Sequence, residues 1–497
     1  MTPTADPLVT AFDRLVRRTP GAPLLVSPRE RSTAADVDAL ARAAGRILAE
    51  AASPTAPGEP VGLQAPNGPA FLAGLVALRR AGCAALLLDR RTPPLERRRI
   101  AREVGARRAL VAGCAWPLDG SGWHLDELGR RPRAAGLPAG TAVIKTSSAS
   151  TGAARGIAAS ADSLLADDRA LTATMGIGPD DRLLATVPFS HSYGLSSLVV
   201  PALVRGTTLV LPGSDDPFAP LAAAAAAGAT VFPTVPAYLG ALARLAEPAP
   251  LPPALRLVVS AGAPLPADTS ARFHDRYGLP VHVFYGASEC GGICYDREGG
   301  AAERGTVGEP VDGVTVEIEP LAGAGPRAPG EGGRVVVRSA AAALGYVPDP
   351  AGAERRLGGG RYATDDLGAW RGGELALTGR LNDLINVKGK KVNPREVERV
   401  LAALPGVEDV LVVPAPGAGD REQVVRAVVA CRPGSLAADQ VLAWCRSRLA
   451  EHKVPRSVVL VDEVPRTDRG KVDRRALARL EPRRTGERPP HEHATGG

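Results

Sequence analysis

The chain has 497 residues, 45% of them hydrophobic and 23% charged, a composition that excludes a short peptide and a wholly disordered polymer. The formal net charge is +7, and the segment from Arg380 onward holds 22 basic and 16 acidic residues, so most of the excess lies there. Because these charges are intermixed, without aromatic-interleaved basic stretches or zinc-finger spacing, they indicate a site for anionic phosphates rather than nucleic acid. Six scattered cysteines and the lack of an apolar run of about 18 residues favour a reduced, cytoplasmic protein that does not span a membrane.

The first half of the chain alternates helical and strand-like patterns. Apolar residues at helical spacing predict helices over 33–52 and 69–81, and a short apolar run predicts a strand over 84–88. Further predicted strands, separated by Ala-rich helices such as 220–227, cover residues 182–187, 208–211, 230–232 and 255–260. This alternation predicts an α/β fold with largely parallel sheets that are covered on both faces.

The pattern changes in the second half of the chain. Residues 305–337 are rich in strand formers around a Gly/Pro-rich turn, which predicts a small β subdomain. After Arg380 a compact unit of about 100 residues follows. Its predicted helices cover 394–404 and 437–450, and its predicted strands cover 407–414, 424–431 and 457–461. Residues 481–497 are polar and rich in Pro and Gly, which predicts a disordered tail.

A run of hydroxyl and glycine residues, Thr146-Ser-Ser-Ala-Ser-Thr-Gly-Ala-Ala-Arg-Gly156, follows the apolar residues 142–144. At a strand end, exposed backbone N–H groups and short side chains can wrap phosphate oxygens, and Arg155 adds positive charge. The run lacks the GxxxxGK[ST] spacing, so it is not a Walker-type loop. Taken alone, such a run is also typical of a plain polar loop.

Six more motifs follow this run in chain order. They are Val187-Pro-Phe-Ser-His-Ser-Tyr-Gly194, Ser260-Ala-Gly-Ala-Pro-Leu265, Tyr285-Gly-Ala-Ser-Glu289, Tyr362-Ala-Thr-Asp-Asp-Leu-Gly368, a long motif over 378–398, and Pro465-Arg-Thr-Asp-Arg-Gly-Lys-Val-Asp-Arg-Arg475. With these motifs in this order, the chain resembles the adenylate-forming superfamily of acyl- and aryl-CoA ligases, firefly luciferase and peptide-synthetase adenylation domains. The resemblance covers about residues 12–480.

The resemblance implies a large N-terminal domain, residues 1–379, made of two α/β subdomains and a small β subdomain. A hinge at 380–383 and a mobile α+β lid domain at 384–480 would follow, with Asn382 at the pivot. It also implies two half-reactions that use ATP and Mg²⁺. A carboxylate attacks the α-phosphorus of ATP to give acyl-AMP and pyrophosphate, and a nucleophile, commonly the thiol of CoA, then displaces AMP.

The resemblance also assigns roles to motif residues that would contact ATP. Tyr285 would stack on adenine, Ser288 would reach the α-phosphate, and Glu289 would bind Mg²⁺, a hard cation that prefers oxygen ligands. Asp366 would accept both ribose hydroxyls, with Arg380 as a second ribose or phosphate contact. The residues expected to grip pyrophosphate are Thr146, Ser147, Ser148, Ser150, Thr151, Gly152 and Arg155. Other nucleotide or CoA contacts are expected at Gly262, Gly286, Lys388 and Gly389.

Two residues receive catalytic roles by the same resemblance. Lys471 would reach the reacting carboxylate and the α-phosphate oxygens, where a slender point charge enters more easily than a planar guanidinium. Only six of the 60 basic residues are lysines, so a lysine among the arginines of this loop is notable. His191 would lie near the acyl carboxylate and the thiol tunnel, although a packed, hydrogen-bonded histidine is an equal alternative.

The acid and the acceptor remain open at this stage. Amino-acid-activating relatives carry an aspartate near the His191 motif, but no acidic residue lies between Asp181 and Asp215. This favours an aryl or medium acyl acid without an α-amino group. The phosphate loop departs from the superfamily pattern at Ala149 and Ala154, but Arg155 keeps its positive charge, which favours retained adenylation. The departure at the pivot, Asn382, leaves the second step less defined, so the acceptor could be CoA, an amine or a carrier-protein thiol. A non-catalytic nucleotide-binding relative is a further alternative.

Overall fold

The computed structural model describes residues 6–51, 55–116, 122–129, 136–147, 155–214, 216, 218–247, 249–321, 332–349, 356–387, 390–416 and 423–465. The helices within these ranges are α1 (Pro7–Arg18), α2 (Ala34–Ala49), α3 (Pro69–Arg80), α4 (Pro94–Val104), α5 (Ala161–Met175), α6 (Ser192–Gly194), α7 (Val200–Arg205), α8 (Ala219–Ala227), α9 (Pro236–Ala243), α10 (Ala267–Tyr277), α11 (Ala301–Arg304), α12 (Pro394–Ala402) and α13 (Ala438–Arg446). A π-helical turn, Leu195–Val199, joins α6 to α7.

The strands of the same ranges are β1 (Pro23–Val26), β2 (Arg31–Thr33), β3 (Pro60–Gln64), β4 (Ala84–Leu88), β5 (Arg108–Ala112), β6 (Trp123–Glu127), β7 (Thr141–Ser147), β8 (Arg155–Ser160), β9 (Arg182–Leu184), β10 (Thr208–Val210), β11 (Val231–Thr234), β12 (Leu257–Ser260), β13 (Val281–Ala287), β14 (Gly291–Tyr295), β15 (Glu309–Pro310), β16 (Thr315–Glu319), β17 (Gly333–Arg338), β18 (Gly345–Val347), β19 (Leu357–Gly358), β20 (Arg361–Arg371), β21 (Glu374–Arg380), β22 (Ile385–Val387), β23 (Lys390–Val392), β24 (Asp409–Pro416), β25 (Gln423–Ala430) and β26 (Ser457–Val461). Each is labelled in chain order.

Two large mixed sheets form the N-terminal part of the described chain. One has the strand order β15-β14-β13-β12-β11-β9-β10-β1-β2, and the other has the order β18-β8-β7-β4-β3-β5-β6. The central pairs, such as β12 with β13 and β3 with β4, are parallel, whereas pairs toward the edges, such as β13 with β14 and β7 with β8, are antiparallel. The predicted α/β class is confirmed, and the parallel arrangement applies to the sheet centres.

Local sequence explains the first elements well. At the start of α2, the Thr33 side chain accepts from the backbone N–H of Asp36, and the Asp36 carboxylate accepts from the Thr33 N–H, so a capping box begins the helix. Strand β4 has all five residues buried because it lies between β3 and β7. Both elements were predicted from apolar spacing. The strand predicted over 182–187 is shorter, since it ends at Leu184.

A separate five-stranded sheet follows the two large sheets. Its strands β16, β17, β20 and β19 are neighbours in that order, and β21 pairs with β20. Its core includes Val335, Val337 and Leu375. The predicted β subdomain, 305–337, is therefore too short at its C-terminal end, because the β20–β21 hairpin joins the sheet and extends it to Arg380.

The C-terminal part of the described chain has its own core. Strands β24, β25 and β26 form a three-stranded sheet, against which α12 and α13 bury Val397 and Val441. The predicted helix over 437–450 covers only Ala438–Arg446, whereas the strand over 457–461 has the predicted bounds. Throughout the described residues, we find no helix with the length and apolar character needed to cross a bilayer.

The carboxyl ends of the central parallel strands lie at one edge of each large sheet. In the nine-stranded sheet these ends are Thr234, Ser260 and Ala287, and in the seven-stranded sheet β7 ends at Ser147. Open α/β sheets bind ligands beyond the carboxyl ends of their strands. The motif residues that follow these strands are therefore placed where a ligand site is expected.

Candidate functional site

Three motif side chains meet at the junction of a large sheet and the β subdomain. The Tyr285 hydroxyl, from β13, donates to Asp366 Oδ2 at 2.6 Å, and Arg380 Nε donates to Asp366 Oδ1 at 2.8 Å. Asp366 and Arg380 are register partners in the β20–β21 hairpin, which explains their contact. The Asp366 side chain is 13% exposed and that of Arg380 is 66% exposed, so a partly buried carboxylate is paired with an exposed arginine.

The protonation states of this trio follow from burial and charge. Burial, and then the Asp366 carboxylate, raise the pKa of the Tyr285 hydroxyl well above its usual range. Burial disfavours the charged Arg380 guanidinium, but the Asp366 carboxylate outweighs this and raises the Arg380 pKa. Tyr285 therefore stays a neutral donor and Arg380 a cation. The hydroxyl of Thr364 accepts from the Asp366 N–H at 2.9 Å and holds the backbone at this position.

The turn between β13 and β14 carries Ser288 and Glu289, and several side chains hold it. The Ser192 hydroxyl donates to Ser288 Oγ at 2.7 Å, and Lys145 Nζ donates to the Ser288 carbonyl at 3.0 Å. The Tyr346 hydroxyl donates to Glu289 Oε1 at 3.1 Å. The motif predicted the two turn residues, whereas Ser192 and Tyr346 were missed because nothing in their local sequence indicates their partners.

The donor set around Glu289 fits a magnesium ion that is shared with phosphates. Among the described residues there is no group of three or more His, Cys, Asp or Glu side chains that could hold a metal. A single carboxylate suits Mg²⁺, which often binds through one or two carboxylates, substrate phosphates and water. Burial raises the pKa of the nearby Cys290 and Cys294 thiols, so these side chains remain protonated and are poor metal ligands.

His191 lies at the start of α6 and is 61% exposed, which contradicts the alternative of a packed histidine. Its Nε2 atom is 3.5 Å from Asp89 Oδ2. Sequence reasoning missed Asp89, although a signal was available, because this residue directly follows the carboxyl end of β4. The exposed imidazole and its carboxylate partner are able to accept and release a proton.

The loop that presents His191 is fixed by the side chain of Asn67 and by a glycine at position 194. Asn67 Oδ1 accepts from the Phe189 N–H at 2.9 Å, and Asn67 Nδ2 donates to the Val187 carbonyl at 2.9 Å. A side chain at Gly194 would place its Cβ only 2.0 Å from the Pro188 carbonyl oxygen. Glycine is therefore required there for the loop to fold back ahead of the π-helical turn.

The remaining predicted residues divide into two groups. In the β7–β8 hairpin, Thr146 is opposite Gly156 and Ser147 is opposite Arg155, while Gly262 follows β12 and Gly286 lies within β13. The side chains of Ser147 and Asn382 are outside the description. The predicted residues that lie outside the described ranges are Ser148, Ser150, Thr151, Gly152, Lys388, Gly389 and Lys471.

Comparison with known proteins places most of the chain among related sequences. The profile of the AMP-binding enzyme family matches residues 12–347, and that of the AMP-binding enzyme C-terminal domain matches residues 396–471. A feruloyl-CoA synthase of Amycolatopsis sp is 32% identical over an alignment 484 residues long that covers 92% of this chain and 96% of the relative. An indoleacetate–CoA ligase of Aromatoleum aromaticum is 31% identical over 62% of this chain and 61% of the relative.

Solved structures share the whole architecture. ATP-bound MatB from Rhodopseudomonas palustris superposes with a TM-score of 0.75 over 94% of this chain and 98% of that one, at 24% identity. This likeness shows the fold, with a large N-terminal and a smaller C-terminal domain. The amide bond synthetase McbA from Marinactinospora thermotolerans is 27% identical, with a TM-score of 0.74 over 95% of this chain and 99% of that one.

Proposed function

Because the chain belongs to the AMP-binding enzymes, the family of adenylate-forming acid–CoA ligases, we propose that it activates a carboxylic acid with ATP and transfers the acyl group to CoA. The observation that carries this proposal is the trio of Tyr285, Asp366 and Arg380 beside the Ser288–Glu289 turn. The trio supplies an aromatic ring, a partly buried carboxylate and a cation within one small region. These groups suit an adenine, a ribose diol and a phosphate.

In the first half-reaction, a carboxylate oxygen of the acid attacks the α-phosphorus of ATP, and the bond to the β-phosphate breaks. Ser288 offers a hydroxyl to the α-phosphate, and Asp366 accepts hydrogen bonds from the ribose. Bound to Glu289 and the phosphates, Mg²⁺ would neutralise charge that repels the incoming carboxylate. Lys471 would add a second cation at the reacting oxygens, and Arg155 would face the departing pyrophosphate. The products are acyl-AMP and pyrophosphate.

In the second half-reaction, the CoA sulfur attacks the acyl carbon and AMP leaves with the electron pair of the broken carbon–oxygen bond. His191 is suited to take the thiol proton, because its imidazole is exposed and Asp89 lies 3.5 Å away to stabilise the resulting cation. Lys388 and Gly389 are proposed as contacts to CoA.

For the acid, we propose an aryl or medium acyl compound without an α-amino group. The segment that presents His191 has no acidic residue to bind an ammonium. Two relatives that align with the chain are named for aromatic acids, feruloyl and indoleacetate, at 32% and 31% identity. Both observations support an acid with an apolar or aromatic body.

A second candidate function keeps the first half-reaction but uses an amine as the acceptor. The observation in line with it is the same His191–Asp89 contact, because an ammonium must lose one proton to become a nucleophilic amine, and the nitrogen must lose another after attack to give the amide. The 27% identity to an amide bond synthetase over 95% of the chain is in line with this candidate.

The test is pyrophosphate release across a panel of aromatic and aliphatic acids, with CoA or an amine supplied separately and the products identified by mass. We expect release with at least one aromatic acid and a thioester in the presence of CoA. Release with an amide, but no thioester, would favour the second candidate. The absence of release with every acid would contradict adenylation and favour a non-catalytic nucleotide-binding protein.

A further inference from the structure

A buried lysine connects the two large sheets beneath the Ser288–Glu289 turn. Lys145 lies near the carboxyl end of β7 in the seven-stranded sheet, and its side chain is 3% exposed. Its Nζ atom donates at 3.0 Å to the Ser288 carbonyl, which directly follows β13 of the nine-stranded sheet. Burying an ammonium is costly unless it is paired and hydrogen-bonded. Burial of the Lys145 ammonium therefore indicates a specific polar role for this side chain and not simply the filling of space in the core.

A buried carboxylate holds the other end of the same turn. Asp167, on α5, is 3% exposed, and its Oδ1 atom accepts from the Gly292 N–H at 2.9 Å. Within the described chain, Asp167 Oδ2 has no hydrogen-bond partner. A Cβ atom at Gly291 would lie only 2.3 Å from Asp167 Oδ1. Glycine at 291 thus allows the carboxylate to approach the backbone of the turn.

The two buried groups compensate each other's charge. Burial lowers the pKa of the Lys145 ammonium, and the Asp167 carboxylate, followed by Cys290 and Glu289, acts in the opposite direction. If Lys145 were absent, the carboxylates of Asp167 and Glu289 would lose the buried cation with which both interact. The turn that carries Glu289 would then lose both its carbonyl donor and its local charge balance.

From these contacts we propose that Lys145 and Asp167 are a positioning pair that holds residues 288–292 so that Ser288 and Glu289 face the phosphates of ATP. The proposal rests on the proposed function of Glu289 as the magnesium ligand. Lys145 also directly precedes the Thr146–Gly156 run, so one side chain links the two segments expected to contact phosphates. Neither residue of the pair touches the reacting atoms in this role.

The test compares Lys145→Met, Asp167→Asn and the double variant in the full-length protein. Each is measured by its unfolding midpoint and by calorimetric binding of ATP, once with Mg²⁺ and once with a chelator. Each single change leaves one buried charge uncompensated and should lower the midpoint, whereas the double change removes both charges and should restore most of it. Lys453→Met is the matched control, because Lys453 pairs with Glu396 in the C-terminal domain, away from this turn.

We expect the double variant to bind Mg²⁺-loaded ATP about 10- to 100-fold more weakly than the parent protein, as is typical when a partner that orients a metal ligand is lost. Binding of ATP without Mg²⁺ should weaken much less, because only the Ser288 contact is then affected. The proposal would be overturned if the double variant bound Mg²⁺-loaded ATP like the parent, or if both forms of ATP weakened equally. Because the measurement needs no acid and no acceptor, a failed acid panel would leave this test intact.

Discussion

The two halves of the site are organised to different degrees. In the nucleotide half, defined as Tyr285, Ser288, Glu289, Asp366 and Arg380, every side chain already has a hydrogen-bond partner. In the acceptor half, defined as His191 and Asp89, the imidazole is 61% exposed and its Nε2 atom is 3.5 Å from Asp89 Oδ2. A preorganised half suits a ligand whose shape does not vary, such as ATP. The exposed acceptor half constrains its ligand less, so small changes in its side chains would be enough to alter which nucleophile is used.

The largest effect should come from Lys471, the proposed catalytic lysine, which lies outside the described ranges. Lys471→Ala should slow acid-dependent ATP–pyrophosphate exchange by about 10²- to 10³-fold or more, the loss expected for one transition-state electrostatic contact. Calorimetric ATP binding should persist, because the nucleotide half is complete without Lys471. The control is Lys453→Ala. Exchange at the parental rate in Lys471→Ala would remove its catalytic role.

Within the nucleotide half, Asp366 accepts hydrogen bonds from both Tyr285 and Arg380, so loss of its negative charge should weaken ATP binding. Asp366→Asn should weaken ATP binding by about 10- to 100-fold, since hydrogen bonds to charged groups contribute roughly 1.5–3 kcal/mol. The KM for the acid should change little. Asp365→Asn is the matched control, because the neighbouring carboxylate contacts Arg356 instead. Equal losses in both variants would show that the effect is a general disturbance of β20.

In the acceptor half, His191→Ala should separate the two half-reactions. Transfer to CoA or to an amine should slow by about 10²-fold, as expected when a positioned base is lost, while pyrophosphate exchange continues. Single-turnover transfer from preformed acyl-AMP is the measurement. His124→Ala is a matched control, because His124 is 57% exposed and lies 3.4 Å from Asp126, away from the motifs. A fall in exchange that equals the fall in transfer would contradict this division.

The smallest effect should come from Asp89→Asn. An ion pair between partly exposed groups contributes about 0.2–1 kcal/mol, so transfer should slow by about fivefold at most. Asp126→Asn, beside His124, serves as the control. If Asp89→Asn were as damaging as His191→Ala, the carboxylate would be part of a tightly coupled pair, and the acceptor half would be more organised than its exposure indicates.

The structure brings together the residues that the motifs assign to the nucleotide half, because these residues lie in contiguous segments, and their roles stay predictions. Ser288 and Glu289 fall in one turn, and Asp366 and Arg380 are partners across one hairpin. The members of each pair are therefore close in space because they are close along the chain. The partners that hold them were missed. Tyr346 is 57 residues from Glu289, and Ser192 is 96 residues from Ser288. The hydrophobic periodicity within one helix or strand gives no information about contacts between residues so far apart in the chain.

The errors in element bounds have the same origin. The β subdomain was predicted to end at 337, but β20 pairs with β17 and β21 pairs with β20, which extends the subdomain to Arg380. The helix over 437–450 was predicted too long at both ends, since apolar spacing does not mark where a chain leaves its core. Element types and order, in contrast, were correct because apolar periodicity directly reflects which face of an element is buried.

The sequence by itself determined the α/β class, the order of the elements and the chemistry of the motif residues, because these depend on short-range spacing and on side-chain type. Only the tertiary structure decided that Lys145 reaches the Ser288 carbonyl, that Asp167 holds Gly292, and that Asp89 faces His191. Each of these contacts joins elements far apart in the chain. Lys145 and Asp89 make their contacts from the carboxyl ends of β7 and β4, whereas Asp167 makes its contact from helix α5, so all three depend on how the whole fold packs its elements.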